Sequence, residues 1–215
     1  MSNLTEARQE PRWSRRKEAR PEEITAAALE LFVERGYAAT RLEDVAAKAG
    51  VSKGTLYLYF ANKEELFKAV VREGLVSPLA AFKDVVEHFE GDTFSLLRML
   101  MCGWWEKIGA TRVSGIPKLI LAESGNFPEL ARFYVAEVVE PGHAVVMQII
   151  RRGIERGEVR AVDPDHVARL VVAPLLLSML WRTSLAQYAT ISPDPAGYLE
   201  AHLDLLDHAL RKEAR

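Results

Sequence analysis

The segment from Thr40 to Phe67 constrains the fold of this chain more than any other, because it holds three short helical patterns separated by two abrupt turns. Thr40 and Glu43 match a Thr-x-x-Glu capping box, which predicts that a helix begins at Arg41. Gly50 follows the apolar stripe of this helix, where a left-handed C-terminal residue is favoured. The first helix is therefore predicted to end at Gly50.

Only Val51 lies between the end of that helix and Ser52, which is a favourable N-cap for the next one. Two helices joined this closely must turn sharply, as in a DNA-binding helix-turn-helix. The second helix is predicted from Lys53 to about Phe60, with Leu56 and Phe60 on the face toward the core. Its outer face is small, hydroxylated and basic, which suits the major groove of DNA.

A third helix is predicted to begin after Asn62, which caps it together with Glu65. Lys63 then lies in its first turn, where it can reach a phosphate of the DNA. This helix extends to about Glu73 and leads directly into the rest of the chain. We therefore expect it to connect the DNA-reading unit mechanically to a larger C-terminal domain.

The run from Glu22 to Arg72 resembles the TetR family of bacterial transcriptional regulators. The resemblance lies in an earlier helical pattern, formed by Ile24, Ala28, Leu31 and Phe32, and in the motifs V-S-K-G-T-L-Y-L-Y-F and N-K-E-E-L-F. The resemblance implies that one group of residues meets DNA: Ser52, Lys53, Gly54, Thr55, Tyr57, Tyr59 and Lys63. It also implies that Thr40 caps the helix that lies across the DNA backbone. Leu58 departs from the family pattern, which often has a polar or aromatic residue there.

These residues also have a plainer interpretation, in which the lysines are solvated and the tyrosines pack into the core. We expect one of Tyr57 and Tyr59 to be partly buried. The ordered sequence of helix, turn, short helix and cap nevertheless favours DNA contact for the group as a whole.

The net charge of −2 is unusual for a DNA-binding protein, but the charge is unevenly distributed. Residues 12–20 carry five basic side chains and one acidic one, for a local net charge of +4. Such an arm can follow phosphates or enter the minor groove, or it can be a solvated tail. Both interpretations remain open.

Cys102 is the only cysteine, which excludes an intrachain disulfide and favours a core thiol over a sensor. The N-terminus lacks an apolar signal segment. The longest apolar run, Leu170 to Trp181, is too short to span a membrane and contains Pro174. We therefore expect a cytoplasmic protein without a membrane partner.

The remainder of the chain shows helical patterns without strand alternation, and helix boundaries are predicted at Gly74 to Pro78 and at two Asp-Pro pairs, Asp163-Pro164 and Asp194-Pro195. The predicted fold is all-α, with a three-helix DNA-binding domain and a larger helical domain. We assign residues 1–20 to the basic arm, 21–72 to the DNA-binding domain and 73–215 to effector binding and dimerisation.

Soft and aromatic side chains are concentrated in the larger domain, where they either form the core or line an apolar cavity. Family resemblance implies an effector pocket, for which the candidates are Met101, Trp104, Trp105, Phe133, Tyr134, Met147 and Trp181. A small apolar or aromatic effector is therefore predicted. Because Trp104 and Trp105 are adjacent, we expect only one of them to face a shared cavity.

The last two helices, predicted at Pro164 to Ala189 and Pro195 to Lys212, carry more leucines than one apolar face requires. These leucines pack within the chain, form a four-helix bundle with a second copy, which is how TetR-like proteins dimerise, or do both. The candidate interface residues are Leu170, Leu177, Leu199, Leu203, Leu206 and Leu210.

Catalytic chemistry has little support, because the five histidines form no metal-binding pair and no nucleophile or phosphate-loop motif occurs. We predict no enzyme activity, no metal and no cofactor. The predicted function is a ligand-released repressor that binds a palindromic operator in double-stranded DNA as a homodimer. Two alternatives are an effector-independent DNA-binding protein and a helical enzyme with a vestigial DNA-binding domain.

Overall fold

A computed structural model describes residues 21–190 and 194–213 of the chain. These residues are mostly helical and contain no β-strand; their only β-type pairing is an isolated bridge between Val159 and Arg211. The predicted all-α fold class is confirmed. The basic arm lies outside the described residues.

The N-terminal helices fold on one another as a compact unit. They are α1 (Pro21–Arg35), α2 (Leu42–Ala49), α3 (Lys53–Tyr59) and α4 (Lys63–Val71). The short α3 crosses the end of α2 and is the element that the sequence assigned to DNA reading.

The helix that leaves this unit does not stop where the sequence predicted. A π-helical turn at Arg72–Val76 joins α4 to α5 (Ser77–His88), so that the chain is helical without a break from Lys63 to His88. The helix end expected at Gly74 to Pro78 is therefore wrong. Pro78 lacks an N–H group, and because it follows the wide turn in the first turn of α5, the helix continues past it.

The described part of the C-terminal region contains six further α-helices and two more π-helical turns. They are α6 (Thr93–Trp104), the turn Trp105–Gly109, α7 (Gly115–Glu123), α8 (Pro128–Tyr134), the turn Val135–Val139, α9 (Glu140–Glu155), α10 (Pro164–Ser184) and α11 (Pro195–Leu210). Asp163 caps α10 as predicted, because its side chain accepts a hydrogen bond from the Asp165 N–H at 2.9 Å. The last two helices end a few residues earlier than predicted.

The largest hydrophobic core extends across both parts of the chain. Phe32, Leu56 and Phe67 of the N-terminal helices pack in one cluster with Ile116 of α7 and Met179 of α10. A second core lies between α6, α9, α10 and α11, and a third between α5, α6 and α9. The N-terminal unit is therefore seated directly on α7 and α8.

The helix α10 has an unusually apolar surface. By length and composition alone, its 21 residues are long and apolar enough to cross a membrane. The sequence analysis predicted no such segment, because the uninterrupted apolar run from Leu170 to Trp181 is shorter than this helix. Val171 and Met179 face the cores, whereas Leu170 and Leu177 are exposed. Core helices of soluble proteins can be equally long and apolar. Burial in a core does not, however, account for the exposed side chains of Leu170 and Leu177.

Candidate functional site

The turn between α2 and α3 has the geometry that the sequence predicted. Gly50 is left-handed, with a φ of 71°. The Val51 N–H donates to the carbonyl of Ala46 at 2.9 Å and the Gly50 N–H donates to that of Ala47 at 3.2 Å, which is a Schellman motif. This closed turn fixes the angle at which α3 leaves α2.

The start of α3 is capped by Ser52, as predicted. Its hydroxyl accepts a hydrogen bond from the Thr55 N–H at 3.0 Å, and the two hydroxyl oxygens lie 2.8 Å apart. Leu56 is fully buried and Phe60 is buried at the end of the helix. These two anchors leave the opposite face of α3 open to solvent.

Two tyrosines flank the open face of α3. Tyr57 and Tyr59 are exposed to nearly the same extent, 43% and 44%. Both rings are therefore half-exposed, so the partial burial expected for one of them applies equally to both. Gly54 lies on the same surface, and a Cβ atom there would meet only the Ser52 hydroxyl, at 3.7 Å. The protein's own packing does not require a glycine at this position.

Lys53 forms an ion pair across the turn. Its Nζ atom lies 2.5 Å from Glu43 Oε1 and 5.7 Å from the centre of the Tyr57 ring. The hydrogen bond to Glu43 raises the pKa of the lysine and lowers that of the glutamate. Both side chains are exposed, so a DNA phosphate could replace Glu43 as the partner of a fully charged Lys53.

Thr40 does not have the capping role that the sequence predicted. The helix α2 begins at Leu42, its N-cap is Arg41, and no side chain caps it. The Thr40 side chain is buried, and its hydroxyl donates to the carbonyls of Gly36 (2.8 Å) and Leu31 (3.2 Å). Because the hydroxyl faces the end of α1, it fixes the loop and cannot face DNA.

Lys63 also has a different role from the predicted one. Its ammonium group donates to the carbonyls of Tyr37 (2.8 Å), Ala38 (3.1 Å) and Thr40 (3.1 Å), and it lies 4.5 Å from the centre of the Tyr37 ring. Burial lowers the pKa of this lysine. All three of its donors are used, so Lys63 holds the loop between α1 and α2 and is not free for a phosphate.

The predicted effector residues are only partly brought together. Trp104 and Trp105 each pack against both the first and the second core, and the expectation that only one of them faces a shared cavity stays a prediction. A π-helical turn starts at Trp105 and brings Gly109 close to its ring. A Cβ atom at Gly109 would lie 2.4 Å from that ring.

The other members of the set separate into three groups. Tyr134 packs on the first core, and Met101 is buried in the second core. The guanidinium carbon of Arg72 lies 5.0 Å from the centre of the Phe133 ring. Phe133 therefore contacts the helix that leads from the DNA-reading unit. Met147 and Trp181 belong to neither core.

Among these side chains, Tyr134 has a strongly shifted pKa. Burial raises the pKa of its phenol to about 12, because the ionised form would lose its hydration. A polar groove of about 240 Å³ lies elsewhere, between α6 and α11. Five of the seven candidate effector residues pack within or against the first two cores.

The predicted dimer residues also fall into two classes. Leu199, Leu203 and Leu210 are buried in the second core of the same chain, and Leu206 packs against it. Intrachain packing is therefore observed for these four leucines, because α11 turns them toward α6 and α10, and a contribution of the same residues to a dimer stays a prediction. The other two, Leu170 and Leu177, are exposed by 63% and 60%.

Exposed apolar residues on α11 lie at other positions than those predicted. Tyr198 and Leu205 are exposed by 48% and 69% and are seven residues apart, so they share one face of the helix. The sequence could not distinguish this stripe from the buried one, because both repeat at helical spacing.

The structure shows contacts of the N-terminal unit with α7 and the start of α8 that the sequence did not predict. Glu123 accepts a hydrogen bond from the Ala38 N–H at 3.1 Å, and Tyr37 packs edge-on against Phe127 with 4.8 Å between ring centres. Thr25 of α1 donates to Glu73 at 2.5 Å. The residues of each pair are far apart in sequence, so no local signal could have identified them.

Metal ligation has no structural basis within the described residues, where no group of three or more His, Cys, Asp or Glu side chains could hold an ion. Asp163 caps α10, and Asp165 pairs with Arg169 one turn later. The two candidate functional regions are the exposed surface of α3 and the apolar side chains that pack on the first two cores.

Known proteins share this organisation. The profile of bacterial regulatory proteins of the tetR family matches residues 24–70, and a tetracyclin repressor-like C-terminal domain matches residues 90–191. The HTH-type transcriptional regulator RutR of Escherichia coli (strain K12) is 28% identical over 198 residues, covering 84% of this chain and 78% of its own.

Two further relatives extend the match to solved structures. The repressor KstR2 of Mycobacterium tuberculosis is 27% identical over 74% of this chain and 79% of its own. Its structure, described as that of a ketosteroid transcriptional regulator, superposes with a TM-score of 0.69 at 25% identity over 92% of this chain and 98% of that one. The Bacillus subtilis regulator FadR, solved with stearoyl-CoA, has a TM-score of 0.64 at 20% identity over 87% and 97% of the two chains.

The two profiles cover the DNA-reading unit and most of the C-terminal region in the family's order. The described helices agree with that order, from the helix-turn-helix of α2 and α3 to the helical bundle behind it. The chain therefore belongs to the TetR family of bacterial transcriptional regulators.

Proposed function

We propose that this regulator represses transcription as a homodimer that binds a two-fold symmetric operator through two copies of α3. The observation that carries the proposal is the exposed face of α3, held outward by buried Leu56 and Phe60. Lys53 supplies exposed charge beside this face, and Ser52 fixes its first turn. The half-site centres should lie about one helical turn, or slightly more, apart in successive major grooves.

Residues 21–72 serve DNA binding in this proposal, and residues 73–215 serve effector binding and dimerisation. The operator lies in the cytoplasm of a bacterial cell, which places the protein there. The basic arm at residues 1–20 precedes this unit in sequence and carries the charge for contacts to the DNA backbone.

The dimer is proposed to form through the exposed faces of α10 and α11. Leu170 and Leu177 form a stripe along α10, and Tyr198 and Leu205 form a stripe along α11. Pairing these faces with those of a second copy would bury apolar area that a monomer leaves in water. This arrangement also accounts for the apolar surface of α10.

The effector is proposed to be a small, largely apolar molecule that binds beside Trp104, Trp105 and Tyr134. The two tryptophans pack against both of the first two cores, and Tyr134 packs against the first. A ketosteroid regulator and a stearoyl-CoA complex among the structural relatives support an apolar effector. Binding there would require the packed region to open, and this opening supplies a second conformation.

Release follows from the continuous helix between the two regions. The chain is helical from α4 through the turn Arg72–Val76 into α5, and Arg72 contacts both Phe133 and Glu137. A change around Phe133 would tilt α4 and thereby shift α3. Since the spacing of the two half-sites is fixed, a small shift would mismatch both grooves together.

The test begins with selection of bound sites from fragments of the source genome, followed by measurement of operator affinity with and without candidate ligands. Progesterone and stearoyl-CoA serve as probes of the ketosteroid and acyl-CoA classes, and tetracycline as a polar aromatic comparison. We expect an effective ligand to lower operator affinity roughly 5- to 150-fold, as for a typical allosteric coupling. Linkage requires the same ligand to bind free protein more tightly than the operator complex by the same factor.

Each alternative predicts a different result. An effector-independent DNA-binding protein would select an operator that no ligand in a broad apolar panel weakens. A helical enzyme with a vestigial DNA-binding domain would select no operator. Equal ligand affinity for the free and the DNA-bound protein would contradict the proposed release.

A further inference from the structure

The most exposed large apolar side chain of the described residues is Leu58, with 84% of its surface in water. It belongs to α3, the helix that the proposed function assigns to the major groove. An isolated exposed leucine is ordinary on a protein surface. Its position within α3 is what makes this one informative.

Helix geometry places Leu58 at the centre of the outward face. Successive residues are about 100° apart around a helix axis, so Leu58 lies about 200° from Leu56 and opposite the direction of the core. Gly54, one turn earlier on the same face, contributes no side chain. Tyr57 and Tyr59 lie on either side. A groove that receives α3 therefore meets the isobutyl group of Leu58 first.

The chemistry of that group restricts what it can read. Leucine can neither donate nor accept a hydrogen bond, and covering a base-edge donor or acceptor with it would leave the base group unpaired at a cost in affinity. The apolar feature of the major groove is the C5 methyl group of thymine. 5-Methylcytosine carries a methyl group at the same ring position.

We propose that Leu58 is a specificity-determining residue that reads a C5 methyl group, thymine's in unmodified DNA, once in each half-site. The inference rests on the proposed binding of an operator by α3. It goes beyond that function because it names the base feature that one side chain recognises.

The test uses an operator selected by the wild-type protein from synthetic, unmodified random DNA. Each symmetric pair of thymines is then replaced by uracil, which removes only the methyl groups, and affinity is measured at constant salt. At one pair we expect about a fourfold loss for each half-site, or about 15-fold for the dimer, as for the burial of one methyl-sized group. Replacing that pair by 5-methylcytosine should give tighter binding than replacing it by cytosine, by the same factor.

Three protein variants complete the experiment. Leu58→Ala should bind the thymine operator about 15-fold more weakly and should distinguish thymine from uracil less than twofold. Leu58→Met keeps an apolar side chain and should retain most of the discrimination. Leu121→Ala removes a similarly exposed leucine of α7 and should behave as wild type. All three should retain wild-type thermal unfolding, because the residues are on the surface.

Two results would overturn the proposal. One is an operator in which no thymine pair is sensitive to uracil. The other is a Leu58→Ala variant that still distinguishes thymine from uracil as the wild type does, since another residue would then read the methyl group. Failure of the wild type to select any sequence would instead refute operator binding, and the two failures are thus distinguishable.

Discussion

Lys53, which we propose to contact DNA, forms an exposed ion pair with Glu43 in the free protein. Their charged atoms are 2.5 Å apart, yet both side chains are exposed. An exposed pair of this kind contributes little to stability, because water and salt screen it. Exchange of Glu43 for a phosphate should therefore cost little, which suits a contact that forms only on DNA.

We predict that Lys53→Ala weakens binding to all DNA sequences by a similar factor and flattens the dependence of log affinity on log salt by about one unit. Glu43→Gln should keep or increase affinity, because it releases the lysine from its partner. Salt titrations of the selected operator and of an unrelated duplex measure both effects. Unchanged affinity and slope in Lys53→Ala would remove this lysine from the interface.

Lys63 illustrates the opposite outcome for a residue of the same type. Its ammonium group donates to three carbonyls of the loop between α1 and α2, and burial lowers its pKa. Charged hydrogen bonds to backbone carbonyls contribute more than an exposed ion pair does. The lysine thus stabilises the loop that Thr40 fixes from the other side.

Replacing Lys63 by Met should therefore lower the free energy of unfolding by about 1–2 kcal/mol, because three carbonyls lose their donor in a partly buried loop. The slope of the salt dependence of DNA binding should stay within error of wild type. Urea unfolding and salt titration provide the two measurements. Lys83→Met, on the exposed surface of α5, is the matched control and should leave stability unchanged. A reduced slope with full stability would restore Lys63 to the DNA interface.

At the scale of elements, two of the attachments of the N-terminal unit to the rest of the molecule bear on release. One is the continuous helix from α4 into α5, and the other is the contact of α7 with the loop after α1. The π-helical turns Arg72–Val76 and Val135–Val139 pack against each other beside the first attachment. Such turns frequently occur at functional sites, which agrees with a role for this junction in release.

The second attachment depends on Glu123. We predict that Glu123→Ala speeds hydrogen exchange of the Ala38 amide and lowers stability by about 1 kcal/mol, through loss of a charged acceptor at a partly exposed site. Glu129→Ala removes a carboxylate that pairs only with Arg132 in its own helix, and it should change stability by less than about 0.5 kcal/mol. Equal protection of Ala38 in wild type and Glu123→Ala would show that this contact does not hold the loop.

At the scale of the whole molecule, α10 and α11 each carry one buried and one exposed apolar stripe. The buried stripes complete the second core, whereas the exposed ones have no counterpart within the described chain. This arrangement separates two effects of mutation that a sequence pattern would combine. A charge on the exposed stripe should affect association, and a charge on the buried stripe should affect folding.

We predict that Leu177→Glu yields a folded monomer, because it places an unpaired charge in the proposed interface and costs several kcal/mol of association. Leu203→Glu should instead destabilise the fold by about 3–5 kcal/mol, because Leu203 is buried within one chain. Light scattering reports the mass and circular dichroism the helicity of each variant. A dimeric Leu177→Glu with wild-type helicity would place the interface elsewhere.

The sequence alone determined the local features of this protein. Gly50, Ser52 and Asp163 act at helix ends as predicted, because capping and left-handed turns depend on residues a few positions apart. The all-α fold and the anchoring of α3 by Leu56 and Phe60 follow from helical periodicity in the same way. These interactions are short-range, so a single sequence is sufficient to predict them.

The tertiary structure decided which of several suitable residues are free to act. Thr40 and Lys63 carry the chemistry of a DNA contact, but the loop after α1 uses their donors. The choice between buried Leu203 and exposed Leu205 depends on how α11 is rotated against α6 and α10. Helical spacing fixes which residues share a face, but only packing between distant segments fixes where that face points.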